Sequence, residues 1–165
     1  MSTNFSLGKV EVSLTPLERF EEFLKSRGKR VTQQRKMIVE EVFAQHDHFN
    51  ADELGDLLQK SSRDVSRPTV YRTLTELVDA GLLRKMTLGS RSVYEHDYGY
   101  PQHDHLHCEK CDKLVEFQSE ELARIRDEVA REFQFRANGH RMIVYGICEE
   151  CQKRNRRRSR RLELV

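Results

Sequence analysis

Four stretches of apolar residues at helical spacing fill the first half of the chain. Leu17, Phe20, Phe23 and Leu24 recur three and four residues apart, behind Thr15 as an N-cap and Pro16 at the first helical position, with Gly28 as the stop. Thr32 opens a second stripe, Ile38, Val39, Val42 and Phe43, that ends near His46. Asn50 opens a third, with Ala51, Leu54, Leu57 and Leu58 inside and Ser61-Ser62 closing it. In the fourth, Ser66 precedes Arg67-Pro68, and Val70, Leu74, Leu77 and Val78 form one face until Gly81. Beyond Gly81, residues 82–86 and 92–95 read as two strands around a turn at 88–91. Three short helices, a reading helix and a basic hairpin describe a winged helix-turn-helix.

The second half has a different rhythm. Residues 102–107 alternate as an extended segment, and 114–117 read as a strand. Leu122, Ile125, Val129 and Phe133 make a helical stripe, and residues 141–147 read as a buried strand. The fold class is therefore α+β: a winged-helix DNA-binding domain over residues 1–94, a small α/β metal-binding dimerisation domain with a structural zinc over 95–152, and a basic tail over 153–165. About 50 residues is too few for an independent hydrophobic core, so metal and subunit pairing are the expected supplements.

Charge sharpens the division. Net charge is only +2, yet residues 95–152 carry 13 acidic side chains against 7 basic, and residues 153–165 carry 7 basic against 1 acidic. Five of the 7 histidines and all 4 cysteines lie in or beside the acidic segment, a metal-binding composition. No apolar run reaches the roughly 18 residues of a membrane span, and no secretory signal is visible, so a cytoplasmic protein without a membrane partner is expected. The tail reads as a solvated segment or as a phosphate contact.

Cys108-x-x-Cys111 and Cys148-x-x-Cys151 have knuckle spacing, and four thiolates make a closed tetrahedral site for structural Zn2+. In Gln102-His103-Asp104-His105-Leu106-His107, alternation puts His103, His105 and His107 on one side and Asp104 on the other. Imidazoles with a nearby carboxylate, Glu95 or Glu116, suit Fe2+, Zn2+, Mn2+ or Co2+. On the fourth helix, Thr69, Arg72, Thr73 and Glu76 form the face opposite the apolar stripe, with Tyr71 at its flank. Arg can pair with guanine, Thr can meet a thymine methyl, and Tyr can contact phosphate. A metal hydrolase is the competing reading, but the chain has no HExxH, no nucleophile-and-base pair and no Gly-rich phosphate loop, so neither an enzyme nor a small-molecule substrate is expected.

The chain resembles the ferric uptake regulator family of metal-dependent transcription factors. The resemblance is carried by Arg67-Pro68-Thr69-Val70-Tyr71-Arg72-Thr73-Leu74, Asp79-Ala80-Gly81-Leu82, Val93-Tyr94-Glu95, residues 103–108 with Cys111, Val115-Glu116-Phe117 and Gly146-x-Cys148-x-x-Cys151. It implies a homodimeric repressor that binds palindromic double-stranded operator DNA when a regulatory metal is bound, with iron control of metal-uptake genes as the leading expectation. The four cysteines match the family's structural zinc ligands. His48, Glu95, His103, His105 and Glu116 match its regulatory site, for Fe2+ or another divalent ion such as Mn2+ or Zn2+. Arg30, Tyr71 and Arg72 match its DNA-contacting positions, to which the residue reading adds Thr69, Thr73 and Arg91.

Departures matter too. A further metal site of the family uses a His, an Asp, a Glu and a His, where this chain has Gln102, Asp104, Ala123 and His140, so Asp104 and His140 are left as a weak additional site. The peroxide-sensing branch tends to carry Asp where this chain has Glu116, which disfavours peroxide sensing. A zinc-uptake regulator and a peroxide- or redox-responsive regulator remain alternatives on the same scaffold.

Overall fold

The computed structural model describes residues 10–45, 48–61, 64–89 and 91–154; the basic run from 155 onward and His46 lie outside them. In chain order the elements are α1 (Pro16–Ser26), α2 (Gln33–Ala44), α3 (Ala51–Lys60), α4 (Arg67–Asp79), β1 (Leu83–Leu88), β2 (Arg91–His96), β3 (Asp104–Cys108), β4 (Leu114–Phe117), α5 (Glu120–Glu132) and β5 (Ile143–Gly146). They fall into two compact units, one within Leu7–Pro101 and one within Gln102–Val165. The sequence pattern places a domain boundary after Tyr94. In the structure β2 continues to His96, and the N–H groups of Asp97 and Tyr98 donate to the Leu82 carbonyl at 3.1 and 3.3 Å, which keeps this stretch with the helices.

In the first unit, every helix starts where its capping residue dictates. Thr15 and Glu18 form a reciprocal capping box on α1, as Asn50 and Glu53 do on α3, while Thr32 and Ser66 accept from the first turns of α2 and α4. Phe20, Leu24, Ile38, Val42, Leu54, Leu58, Val70, Leu74, Leu77 and Leu82 are fully buried and form one core. Gly81, at φ +70°, ends α4: its N–H donates to Val78 O and the Leu82 N–H to Leu77 O, each at 3.0 Å, a Schellman turn that only a left-handed residue completes. The chain thus turns directly into the hairpin, whose strands pair from Leu83↔His96 to Leu88↔Arg91.

Segment 10–14, unplaced by sequence, lies along the end of the same unit. The Val10 N–H donates to Gly99 O at 3.1 Å, and the Tyr98 hydroxyl donates to Leu14 O at 3.1 Å.

The second unit is a three-stranded sheet in the order β4-β3-β5, antiparallel between β3 and β4 and parallel between β3 and β5, as an intervening helix requires. β5 was expected as a buried strand and is instead a half-exposed edge strand, with Val144 at 39% and Tyr145 at 54%. Its apolar run reflects a face that this chain alone leaves uncovered. The α5 stripe forms as predicted yet buries nothing: Ile125, Val129 and Phe133 are all exposed. Among the described residues of this unit, the only buried side chains of apolar type are Cys108 and Cys151.

Candidate functional site

The cysteine cluster is assembled by strand ends. β3 ends at Cys108, and the following turn closes through the Asp112 N–H to Cys108 O and the Cys108 N–H to Lys113 O, both 2.9 Å, with Asp112 at φ +56°. Parallel pairing sets Gly146 opposite Cys108, so the segment after β5 delivers Cys148 and then Cys151 to the same place. The four sulfurs lie within 4.8 Å of one another, and Cys111 Sγ is 3.7 Å from Cys148 Sγ. That is far too long for a disulfide, at about 2.05 Å. It is the edge of a tetrahedron of sulfurs around a centre about 2.3 Å away, which gives an edge of about 3.8 Å. The donor set therefore fits zinc. The Cys148 N–H donates to Cys108 Sγ at 3.3 Å, and this bond leads the causes that bring the Cys108 thiol down, while its neighbour Cys111 is pushed up. Arg154 donates to Cys151 Sγ at 2.9 Å.

The histidine and glutamate residues form two groups, one in each unit. In the first unit, Phe49 and Tyr94 exchange backbone hydrogen bonds of 3.2 and 2.8 Å as an isolated antiparallel bridge, with their rings stacked. Antiparallel geometry then sets His48 opposite Glu95, and His48 Nε2 lies 3.2 Å from Glu95 Oε2. Glu95 is 3% exposed, and its other oxygen lies 3.8 Å from Arg84, which itself pairs with Asp97. In the second unit, register pairs His105 directly with Glu116, and His103 Nε2 approaches Glu116 Oε1 to 4.0 Å. The His103 and His105 rings meet edge to face at 4.8 Å, both buried. Each group alone offers imidazole nitrogen and carboxylate oxygen at the spacing of ligands to one ion, the chemistry suited to a divalent first-row metal.

Asp104 and His140 are also in contact, but differently. Asp104 Oδ1 accepts from the Met142 N–H at 2.7 Å, and Oδ2 lies 2.9 Å from His140 Nε2. The Gln102 amide donates to the His140 carbonyl at 2.7 Å. Each carboxylate oxygen of Asp104 thus already has one partner within the protein.

On α4, Tyr71 and Arg72 are exposed and Thr69 is half-buried, whereas Thr73 is 1% exposed and Glu76 is 4% exposed. The expectation that Thr73 faces a ligand is overturned. Counted from Val70, positions 73, 74 and 77 fall on the same side of a helix, so Thr73 belongs to the core stripe. Thr75 is exposed instead, a position that sequence reasoning missed and that the same count from Val70 would have found. The Tyr71 hydroxyl donates to Asp52 Oδ1 at 3.1 Å, which raises its pKa above the ordinary phenol value. Asp52 also accepts from Arg67 at 2.8 Å, and Asp56 takes the other arm of that guanidinium at 2.9 Å. Arg30 and Arg91 are exposed. His96, by contrast, sits with Nε2 2.9 Å from Val42 O and its ring stacked on Phe43.

Known proteins share this organisation. The family model described as the ferric uptake regulator family matches residues 26–145. A peroxide-responsive repressor, PerR, from Staphylococcus aureus is 34% identical over 129 residues, 78% of this chain and 86% of that protein. The structure of the Helicobacter pylori ferric uptake regulator, described as having three functional metal-binding sites, superposes with a TM-score of 0.76 at 26% identity, covering 88% of this chain and 97% of that one. The Pseudomonas aeruginosa ferric uptake regulator with manganese gives 0.69 at 27% identity, covering 78% and 97%.

Proposed function

The chain belongs to the ferric uptake regulator family, and on that premise we propose that it is an iron-dependent repressor of metal-uptake genes which reads operator DNA as a homodimer in the cytoplasm. It is a metal-responsive transcription regulator with a winged-helix unit and a metal-binding unit. The observation that supports the finer reading is that each unit carries its own His/Glu group, His48 with Glu95 in the first and His103 with His105 and Glu116 in the second. His48, Glu95, His103, His105 and Glu116 serve one regulatory ion, taken as Fe2+ and also fitting Mn2+ or Zn2+, while Cys108, Cys111, Cys148 and Cys151 hold a structural Zn2+.

On this proposal the ion takes ligands from both units, and so binds one arrangement of the winged helices more tightly than others. That differential affinity is the switch. Dimerisation is supported by the uncovered apolar surface of the second unit, Leu106, Val144 and Tyr145 on the sheet with Ile125, Val129 and Phe133 on α5. Paired reading helices would then meet successive major grooves of a palindrome, with Arg30, Thr69, Tyr71, Arg72 and Arg91 on the duplex. Among the described residues no helix is long and apolar enough to cross a membrane. Asp104 and His140 stay a weak additional site in this reading: Gln102 spends its amide on the His140 carbonyl, Ala123 offers no donor, and each Asp104 oxygen already has one partner within the protein.

The experiment that tests this reading is metal counting on purified dimer by elemental analysis. One non-exchangeable zinc and one exchangeable divalent ion per chain are expected. A third equivalent that disappears in Asp104→Ala would overturn the assignment of that site, and an exchangeable ion that survives Glu95→Gln with His103→Ala would overturn the regulatory one.

A further inference from the structure

We propose that Glu76 is a positioning residue for DNA recognition: from its buried place on the reading helix α4 it holds the cationic loop ahead of α2, and with it Arg30, in register with Tyr71 and Arg72. This inference rests on the DNA-binding reading above.

Glu76 Oε1 accepts from two cations at once, Lys29 Nζ at 2.7 Å and Arg35 Nη2 at 3.0 Å. Its Oε2 is buried and has no hydrogen-bond partner among the described residues. Arg35 uses its other guanidinium arm, Nη1, on the carbonyl of Arg30. A continuous path of charge-assisted bonds therefore runs from α4 through Glu76 and Arg35 to the backbone of Arg30. Gly28, at φ +65°, shapes the loop at its start, where the Lys29 N–H donates to Leu24 O at 2.9 Å.

A carboxylate is an unexpected choice at this position. It carries the wrong sign for a surface that meets phosphate, and its burial costs desolvation that an apolar residue would avoid. The bonds it makes explain its presence. The Arg35 side chain is only 17% exposed with both arms engaged, so it acts as a strut, whereas Lys29 is half-exposed. A guanidinium that bridges two acceptors fixes direction as well as distance, which a single ammonium does not.

Charge and positioning make opposite predictions, which separates them. Removing the negative charge strengthens attraction to any duplex equally. Losing the strut weakens only the duplex whose contacts need Arg30 and α4 in register. The test uses full-length, metal-loaded protein, a duplex selected by the wild type from a random pool, and a scrambled duplex of the same length, with affinities read by fluorescence anisotropy. Glu76→Gln and Arg35→Lys should each lower the selected-to-scrambled affinity ratio by about tenfold, the scale of one well-placed contact, while scrambled-duplex binding holds or rises. Circular dichroism establishes that each variant is folded at the assay temperature, and Arg35→Lys, which keeps the charge, stands in if Glu76→Gln fails that check. An unchanged ratio in a folded variant, or equal tightening on both duplexes, overturns the proposal. A wild type that does not discriminate the two duplexes overturns the DNA-binding reading itself, and the role of Glu76 with it.

Discussion

Replacing Cys148 with Ser in the full-length chain should unfold the second unit and leave the first intact. The magnitude follows from what is buried. The first unit has ten fully buried apolar side chains from Phe20 to Leu82, each contributing about 1.5–3 kcal/mol of transfer free energy before the entropy of ordering. Among its described residues the second unit buries only Cys108 and Cys151 of the apolar type, and α5 buries none. Two small side chains contribute a few kcal/mol at most by the same scale. A structural zinc contributes about 10–16 kcal/mol in small zinc-finger domains, comparable to or larger than the whole stability of a typical domain at about 5–15 kcal/mol. Losing one of four thiolates removes most of that. Hydrogen exchange read by mass spectrometry checks the outcome residue by residue. Amides of β3, β4 and β5 should exchange at close to unprotected rates in Cys148→Ser, while amides of α1 through α4 keep their protection. Protected β3 amides in zinc-free protein would refute the reasoning, because subunit pairing alone would then hold the sheet.

Three further outcomes are expected. Glu95→Gln should abolish metal-responsive DNA binding with the melting temperature of the first unit held within a few degrees, checked by anisotropy and calorimetry; retained metal response would remove Glu95 from the site. Arg72→Ala should cost about 1–3 kcal/mol on selected duplex and relax its specificity, whereas Thr73→Val should leave affinity within about twofold, because Thr73 lies in the core and reaches no ligand. Tyr71 should ionise above the ordinary phenol value because its hydroxyl donates to Asp52. With the folded value raised, whatever this bond contributes is present at neutral pH and lost as pH rises through the folded pKa, and Asp52→Asn should bring the ultraviolet titration of Tyr71 back down.

The helices of the first unit were legible because their signals are local. Thr15, Thr32, Asn50 and Ser66 cap where they stand, and Gly28 and Gly81 both adopt positive φ. On the reading face of α4, polarity points to Thr73 as a contact, yet it stands three positions after buried Val70 and helical count places it in the core. The second unit was legible in its elements but not in its burial. The same apolar stripe on α5 serves a core within the chain or a surface awaiting another, and periodicity carries no information on which. Spacing identified the cysteine cluster, since Cys-x-x-Cys pairs announce their geometry. The His48–Glu95 contact was reached only through resemblance: it depends on a two-residue bridge, Phe49 with Tyr94, that no local pattern marks. Glu76 and its two cations were invisible for the same reason, being far apart in the chain.

The central claim is that filling the His/Glu regulatory site switches DNA affinity. The most direct measurement is anisotropy of a labelled duplex from upstream of the protein's own gene, under anaerobic conditions. Fe2+, Mn2+ and Zn2+ are titrated separately into protein that keeps its four-cysteine zinc but has been stripped of the weaker ion. The account predicts that Fe2+ raises affinity by between about 5-fold and more than 100-fold, the range of one or two effector couplings of about 1–3 kcal/mol each, and that Glu95→Gln eliminates the rise. Equal binding with and without added metal would contradict it.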